Sequence, residues 1–214
     1  MKASSAETPN HMLIVGATGI IGRAAVEHFC GLEGWKVTCC SRREPDYPHT
    51  ADFVSLDLLD ATACDSALGE GGAVSGVTHC MFGAVFTKFQ PSGARAYDDE
   101  HDNTNATMLT NFFRPFERGN RATLRHVSLM QGAKAYGAHK LGLDHMAMPY
   151  KEREPRVEHE NWYWLQEDYL RSKQSAGSFT CAGLAPRPPP LSSFGCPPSM
   201  RSAPRLVGAL IGLG

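Results

Sequence analysis

The sequence predicts an α/β protein built on a doubly wound parallel sheet. Short apolar runs alternate with stretches of helical periodicity along most of the 214 residues, and a glycine-rich turn joins the first apolar run to the first helical stretch. Strands that alternate with helices form a parallel sheet with helices on both faces. The apolar share of 42% and the charged share of 20% are ordinary for a folded protein.

Six apolar runs are predicted as strands, and three stretches between them as helices. The strands are expected at residues 12–15, 35–40, 52–56, 77–83, 124–129 and 178–184. Helices are expected at residues 20–30, from about residue 60, and along a stretch whose apolar side chains share one face: Met108, Leu109, Phe112, Phe113 and Phe116. Pro115 falls near the end of this last stretch and predicts strain there, because proline removes a helical hydrogen bond.

The charge balance excludes several classes of partner. The net charge is −1 and the pI is about 6.7, so neither nucleic acid nor an anionic membrane is an expected partner. No apolar run is long enough for a signal peptide or a membrane span. The seven cysteines lack metal-ligand spacing, so we expect a cytoplasmic protein with neither a disulfide framework nor a metal site.

The most specific motif is the glycine-rich turn GATGIIG at residues 16–22. Gly16 allows the tight turn out of the strand, Gly19 lets a pyrophosphate approach the backbone, and Gly22 lets the helix lie close to the sheet. The amides of a helix N-terminus and its positive potential suit phosphate groups. Further cofactor contacts are assigned to Thr18, Ile20 and Ile21. Glycine turns are common between strands and helices, but this position favours an NAD(P)-binding Rossmann fold.

The end of the second predicted strand indicates which dinucleotide is bound. Folds that choose NAD usually end this strand with an acidic residue on the ribose 2′-hydroxyl, whereas this sequence has Ser41, Arg42 and Arg43. Guanidinium groups suit a 2′-phosphate, so NADPH is the predicted cofactor; a pair of solvated arginines is the alternative. Asp57, after the third strand, is predicted beside the adenine amino group, with a merely solvated carboxylate as the alternative.

The candidate catalytic residues come from two separate segments. Short-chain dehydrogenases usually place a tyrosine four residues before a lysine on one helix, but Glu167 takes that place relative to Tyr163. Lys134 lies just past the carboxyl end of the fifth predicted strand, which is the edge where open parallel sheets bind ligands. Ser128, inside that strand, stands where related oxidoreductases keep a polar residue facing the substrate carbonyl.

These motifs resemble the atypical short-chain dehydrogenases that include progesterone 5-beta-reductase and iridoid synthase. The shared stretches, which cover about residues 12–170, are GATGIIG, WKVTCCSRR, an Asn105-xx-Met108-xx-Asn111 pattern, HVSLMQGAKAYG, EPR at 154–156 and NWYWLQED. A GxK-x-Y loop combined with an N-aromatic-Tyr-aromatic-xx-ED helix makes the resemblance specific.

The resemblance implies a reaction and a role for each matched residue. NADPH would deliver hydride to the carbon β to the carbonyl of a small conjugated enone or enal. Tyr163 would hold the carbonyl oxygen and stabilise the enolate. Lys134 would lower the pKa of Tyr163, or help to fix the carbonyl and the nicotinamide ribose. Taken in isolation, the two residues would be an ordinary surface lysine and a half-buried aromatic residue.

The sequence also departs from the family pattern. Met130 and Gln131 replace a glutamine and a threonine often found there, and Trp164 replaces a second tyrosine, so substrate preference is not carried over. Family members continue into a substrate-binding lid, whereas seven of the 14 prolines here fall between residues 186 and 204. We expect a Rossmann domain at 1–184 and a proline-rich tail at 185–214, a remnant of or replacement for the lid in a C-terminally truncated member.

Two other functions stay open. One is an NADPH-binding module without turnover. The other is a sugar-nucleotide epimerase or dehydratase, since those enzymes share the phosphate loop. That function needs the catalytic tyrosine and lysine on one helix, and Glu167 stands at the lysine position relative to Tyr163.

Overall fold

The structure, a computed structural model, describes residues 9–93, 95–96, 99–138, 156, 161–174 and 179–184. The proline-rich segment predicted from residue 185 lies outside the described residues. The strands are β1 (Asn10–Val15), β2 (Trp35–Ser41), β3 (Asp52–Ser55), β4 (His79–Phe82), β5 (Lys88–Phe89), β6 (Arg95–Ala96), β7 (His126–Met130) and β8 (Thr180–Leu184). The helices are α1 (Ile20–Cys30), α2 (Ala61–Leu68), α3 (Asp99–Asn120) and α4 (Trp162–Gln174), and a 3-10 turn spans Ala133–Tyr136.

Six strands form one parallel sheet in the order β3-β2-β1-β4-β7-β8. With the short β5–β6 hairpin left out, the order is the 3-2-1-4-5-6 arrangement of dinucleotide-binding folds. The strand order reverses between β1 and β4, and ligands bind at such a switch point beyond the carboxyl ends of the strands. The predicted doubly wound Rossmann fold is therefore confirmed.

Helices cover both faces of this sheet because the side chains of each strand alternate in direction. In β1, Met12 and Ile14 pack with α1, including Phe29. Leu13 and Val15 point to the other face, where they join the apolar core formed with α2, α3 and α4. Because helices cover both faces, every residue of β1 from His11 to Val15 is buried.

Helix α3 continues through Pro115, where strain was predicted, as far as Asn120. Proline removes one backbone hydrogen bond and usually kinks a helix. Here Phe112, Phe113 and Phe116 are all fully buried on both sides of Pro115, and the rings of Phe112 and Phe116 stack with centroids 5.0 Å apart. This packing holds the helix together where its local propensity would end it.

Candidate active site

The phosphate loop lies at the switch point of the sheet. Gly16 has a left-handed backbone with φ of 89°, and its amide donates to the carbonyl of Cys40 at 2.9 Å. A β-carbon on Gly16 would lie 2.8 Å from the amide nitrogen of Ala84, in the loop after β4. Glycine is therefore required at position 16 by both conformation and space.

The two later glycines of the turn have different surroundings. A β-carbon on Gly22 would lie 2.1 Å from the carbonyl oxygen of Gly16, so Gly22 is what lets α1 approach the loop. A β-carbon on Gly19 would meet only that same oxygen, at 3.3 Å, and would otherwise project into open space. Gly19 thus leaves room on the outer side of the loop, as the prediction requires for a close-lying phosphate.

The start of α1 has amide groups available for a ligand. Gly19 caps the helix without a side-chain hydrogen bond, and the first turn contains no acidic residue. The side chain of Ile20 is 81% exposed, while Ile21 packs against the core beneath α1. Ile20, Ile21 and Gly22 are therefore placed to contribute backbone amides, with positive potential from the helix.

Tyr47 holds the phosphate loop through a hydrogen bond, a role that the sequence did not suggest. Its hydroxyl donates to the carbonyl of Ala17 at 2.9 Å, and the guanidinium of Arg23 lies 4.7 Å from its ring centroid. Burial raises the pKa of the Tyr47 phenol, which stays neutral and keeps its proton for this bond. Nothing in the local pattern around Tyr47 signals a contact with a residue 30 positions away.

A cleft runs from the phosphate loop to the ends of β2 and β3, and seven predicted cofactor residues line it. They are Gly16, Thr18, Gly19, Ser41, Arg42, Arg43 and Asp57. The remaining wall includes Leu58 and the loop after β4 with Phe86. The structure therefore brings the predicted phosphate loop, the arginine pair and the aspartate to one cavity.

The arginine pair is fixed through its backbone while its side chains stay exposed. Ser41 donates its hydroxyl to the carbonyl of Arg43 at 2.6 Å, and Ser55 donates to the carbonyl of Arg42 at 3.2 Å. Across the described residues, neither guanidinium forms an ion pair. Asp57 accepts the amide of Leu59 at 3.0 Å on one carboxylate oxygen, so part of this carboxylate is used to shape the turn.

Asn105 of α3 fixes the loop that forms the opposite wall. Its side-chain oxygen accepts the amide of Phe86 at 2.8 Å, and its side-chain nitrogen donates to the carbonyls of Phe86 and His101 at 3.0 and 2.8 Å. The carbonyl of Asn105 accepts Gln166 of α4 at 2.7 Å. One buried asparagine therefore links the cleft wall to both helices.

The structure places Tyr163 beside the loop that carries Lys134. Tyr163 lies in the first turn of α4 and is 8% exposed. A β-carbon on Gly132 would lie 3.2 Å from the hydroxyl oxygen of Tyr163, so the phenol end of this side chain lies against the 3-10 turn Ala133–Tyr136. Lys134 belongs to this turn, and the two predicted catalytic residues therefore come from adjacent segments.

Two polar side chains tie the first turn of α4 to this loop. Asn161 accepts the Tyr163 amide at 3.0 Å and donates to the Lys134 carbonyl at 2.6 Å. Gln131 donates to the carbonyl of Tyr163 at 3.3 Å. The sequence showed Gln131 only as a departure from the family pattern and did not suggest the role of Asn161 in joining the segments.

The residue at the usual lysine position has another partner. Glu167 pairs with Arg171 at 2.7 Å and with Arg156 at 3.2 Å, and Arg156 also pairs with Asp168 at 2.8 Å. The hydrogen bond to Asp168, with the charges of both carboxylates, raises the pKa of Arg156. The Glu-Asp pair of the helix motif thus holds the Arg156 side chain and takes no part beside Tyr163.

Ser128 lies in a different polar group from Tyr163. It is 3% exposed in the middle of β7, and its hydroxyl pairs with the ring of His126 at 3.1 Å. His126 also contacts the Thr180 hydroxyl at 2.6 Å. Burial lowers the pKa of His126, which therefore stays neutral in this group. The role of Ser128 at a substrate carbonyl stays a prediction.

The sequence contains two tyrosines that stand four residues before a lysine, Tyr136 with Lys140 and Tyr169 with Lys173. The second pair lies within α4, where the Lys173 ammonium is 5.5 Å from the centroid of the Tyr169 ring. Tyr136 ends the 3-10 turn, and Gly137 after it has a left-handed backbone with φ of 82°. The spacing of four places two side chains on one face only within a continuous helix. Lys140 lies outside the described residues.

The described part of the chain contains no group of three or more metal-ligating side chains placed to hold a metal ion. Within that same part, no helix combines the length and the apolar character needed to cross a bilayer.

Comparison with known proteins finds sequence relatives and a matching family. Residues 12–105 match the NAD dependent epimerase/dehydratase family. The chain is 32% identical to an (S)-8-oxocitronellyl enol synthase from Nepeta racemosa over 169 residues, covering 74% of this chain and 40% of the relative. It is 31% identical to a 3-oxo-Delta(4,5)-steroid 5-beta-reductase from Arabidopsis thaliana over 170 residues, with the same shares of 74% and 40%. The matches thus span less than half the length of these curated relatives.

A solved structure agrees with the fold. A short-chain dehydrogenase/reductase superfamily protein from Agrobacterium tumefaciens, determined with bound NAD, superposes with a TM-score of 0.62 at 19% identity, covering 82% of this chain and 48% of that one. The resemblance predicted from the motifs is confirmed by the sequence relatives. Residues 12–105 therefore form a domain of the NAD dependent epimerase/dehydratase family, and an enol synthase and a steroid 5-beta-reductase are among the relatives of the chain.

Proposed function

We propose that the chain binds NADPH in the cleft and reduces the carbon–carbon double bond of a small conjugated enone or enal. The observation that carries this proposal is the contact between the Tyr163 hydroxyl and Gly132, which brings a phenol to the loop of Lys134. The names of the relatives, an enol synthase and a steroid 5-beta-reductase, favour this chemistry over an epimerase or dehydratase reaction.

The residues of the cleft fit a dinucleotide phosphate. The open side of Gly19 and the uncapped start of α1 leave a cradle for the pyrophosphate. Arg42 and Arg43 would hold the 2′-phosphate with charge-assisted hydrogen bonds, since both line the cleft and neither has an ion-pair partner among the described residues. Asp57 would accept a bond from the adenine amino group with its remaining acceptor capacity.

The catalytic residues act on the substrate carbonyl. When bound, NADPH supplies a hydride to the substrate carbon β to that carbonyl. The Tyr163 hydroxyl donates a hydrogen bond to the carbonyl oxygen, which becomes an enolate oxygen as its negative charge develops. Lys134 brings a positive charge to the same loop, which favours transfer of the phenolic proton toward this oxygen. The burial of Tyr163 limits competing hydrogen bonds from water.

Replacing the tyrosine tests the proposal directly. Tyr163→Phe should lower kcat for enone reduction about 100-fold or more, as expected when one oxyanion donor is lost. NADPH affinity should change less than about twofold, because the cleft is lined by other residues. NADPH oxidation with a panel of enones measures the first quantity, and calorimetric titration measures the second. Lys134→Ala should lower kcat in the same way.

Two tyrosines serve as controls. Tyr169→Phe makes the same change in the same helix and also tests the competing Tyr169–Lys173 pair. The Tyr169 ring packs edge-on against Phe113 with centroids 6.2 Å apart, so this variant should keep normal turnover. Tyr136→Phe tests the competing Tyr136–Lys140 pair and should also leave most of the activity. Equal loss of NADPH binding and turnover in Tyr163→Phe would show a structural role. NADPH binding by the unmodified chain without reduction of any enone would favour the binding-module function.

A further inference from the structure

Tyr163 and Lys134 must be held in a fixed relative position, and no single helix of the described residues holds both. When tyrosine and lysine lie four residues apart on one helix, the helix itself fixes their relative position. Here Tyr163 belongs to α4, and Lys134 belongs to the 3-10 turn after β7. Their relative position must therefore come from tertiary contacts, and catalytic groups need to be held within about 0.5 Å of their productive geometry.

We propose that Asn161 is the positioning residue that fixes the position of Tyr163 relative to Lys134. This inference rests on the proposed function, since it assumes that both residues act on one carbonyl. Asn161 is 4% exposed and immediately precedes α4. Its two side-chain polar atoms bond in opposite directions, one to the amide of Tyr163 and one to the carbonyl of Lys134, 27 positions earlier in the chain.

The two bonds have separable roles. The side-chain oxygen accepts the Tyr163 amide at 3.0 Å and caps the helix, as asparagine and serine commonly do. The side-chain nitrogen donates to the Lys134 carbonyl at 2.6 Å and contributes nothing to the cap. A residue that accepts the Tyr163 amide but cannot reach the Lys134 carbonyl would keep the cap of α4 and lose the bond to the 3-10 turn. Serine is such a residue, because its hydroxyl is shorter and ranks with asparagine as a cap.

Asn120 provides a matched control elsewhere in the fold. It is 1% exposed, its side-chain oxygen accepts the Val77 amide at 2.9 Å, and its side-chain nitrogen donates to the Phe116 carbonyl at 3.1 Å. Asn120 ends α3, beside the start of β4 and therefore at the edge of the sheet opposite the site. Replacing either asparagine with serine removes the same atoms from a buried position with two backbone partners.

The experiment compares Asn161→Ser, Asn161→Ala and Asn120→Ser in the full chain. We expect Asn161→Ser to lower kcat for enone reduction about 10- to 100-fold, because misplacement by about 1 Å can cost that much. NADPH affinity should stay within about twofold, since Asn161 does not line the cleft. Asn161→Ala should lower kcat similarly and also lower the unfolding temperature, because it loses the cap as well. Asn120→Ser should lower the unfolding temperature while kcat is kept.

A pH measurement separates positioning from general destabilisation. A lysine charge held at the phenol favours the phenolate, so releasing the Lys134 turn should move the titration of Tyr163 to higher pH. The titration is followed as the tyrosinate absorbance difference between each protein and the same protein carrying Tyr163→Phe. The alkaline limb of the kcat profile should move the same way in Asn161→Ser and stay in place in Asn120→Ser.

The outcomes decide the inference independently of the proposed function. Unchanged kcat and unchanged Tyr163 titration in Asn161→Ser would overturn it. A lower kcat with an unmoved titration and a reduced unfolding temperature would also overturn it, because the role would then be structural only. If the unmodified chain reduces no enone, the proposed function fails, and the titration alone decides: a shift to higher pH in Asn161→Ser supports the positioning role, and no shift removes it.

Discussion

The hydroxyl oxygen of Tyr163 lies so close to Gly132 that a β-carbon on this glycine would stand 3.2 Å away from it. Gly132 has an extended backbone with φ of −137° and ψ of −174°, which alanine adopts freely. The glycine is therefore needed for the position of the phenol and not for the conformation of the chain.

We expect Gly132→Ala to separate activity from stability. The added methyl group would displace the phenol by a few tenths of an ångström, which should lower kcat for enone reduction about tenfold. Stability should be kept or rise by about 0.4–1 kcal/mol, because alanine restricts the unfolded chain more than glycine. Steady-state kinetics and chemical denaturation measure the two effects. Gly31→Ala, where the β-carbon meets its nearest neighbour at an ordinary 3.4 Å, is the control.

Features that follow from local sequence patterns could be predicted before the structure was known. The bounds of α1 match the prediction, and the parallel direction of the six main strands follows from the alternation of strands and helices. The cleft residues from the phosphate loop to Asp57 were predicted because each follows a predicted strand, and parallel strands bring their carboxyl ends to one edge.

Features that depend on contacts distant in sequence were not predicted. Asn161 could be expected to cap a helix, but its bond to the Lys134 carbonyl follows only from the packing of α4 on the 3-10 turn. Tyr47 under the phosphate loop and Asn105 on Phe86 are similar cases. The β5–β6 hairpin was missed because two-residue strands have no detectable periodicity.

The phosphate loop offers a second test, which distinguishes two glycines of one motif. Gly19→Ala should preserve the fold, because the new methyl group projects into open space with only the Gly16 carbonyl near it. It should weaken NADPH binding about tenfold, since it hinders at least one phosphate hydrogen bond worth about 1.5 kcal/mol. Gly22→Ala should lower the unfolding temperature itself, because its methyl group would lie 2.1 Å from the Gly16 carbonyl.

Calorimetric titration and thermal unfolding of both variants measure these effects. Unchanged NADPH affinity in a folded Gly19→Ala protein would show that no phosphate lies over this glycine. Normal stability of Gly22→Ala would show that α1 moves away from the loop at little cost.

The arginine pair predicts cofactor preference. Replacing both Arg42 and Arg43 with alanine should reduce the preference for NADPH over NADH by about one to two powers of ten, judged from the strength of charge-assisted phosphate bonds. Affinity for NADH should be nearly unchanged, because the proposal assigns both side chains to the 2′-phosphate, which NADH lacks. Arg121→Ala, which removes an exposed arginine paired with Glu117, is the matched control. A preserved NADPH preference would assign the two arginines to the solvated surface.

At the opposite edge of the sheet, two histidines on adjacent strands predict a loss of stability in mild acid. His79 and His126 are register partners across β4 and β7. Burial, together with the charges of His126 and Arg125, lowers the pKa of His79 from 6.5 to about 4. The unfolded state therefore binds more protons than the folded state between these values. The stability that neutral His79 contributes is complete above about pH 6.5 and is lost as pH falls below it.

We expect the free energy of unfolding to fall by about 1–2 kcal/mol from this half-buried residue between about pH 7.5 and pH 5, by linkage of the two pKa values with solvent screening taken into account. Carboxylates titrate mostly below this window, so they contribute little to the slope. His79→Asn should reduce this slope, because asparagine does not titrate but still offers a partner for the Thr78 hydroxyl, which lies 2.8 Å from the His79 ring. Part of the slope should remain, because burial also lowers the pKa values of His11 and His126. Urea denaturation at a series of pH values gives both slopes. Equal slopes in the two proteins would show that water reaches His79 and that its proton affinity is ordinary in the folded state.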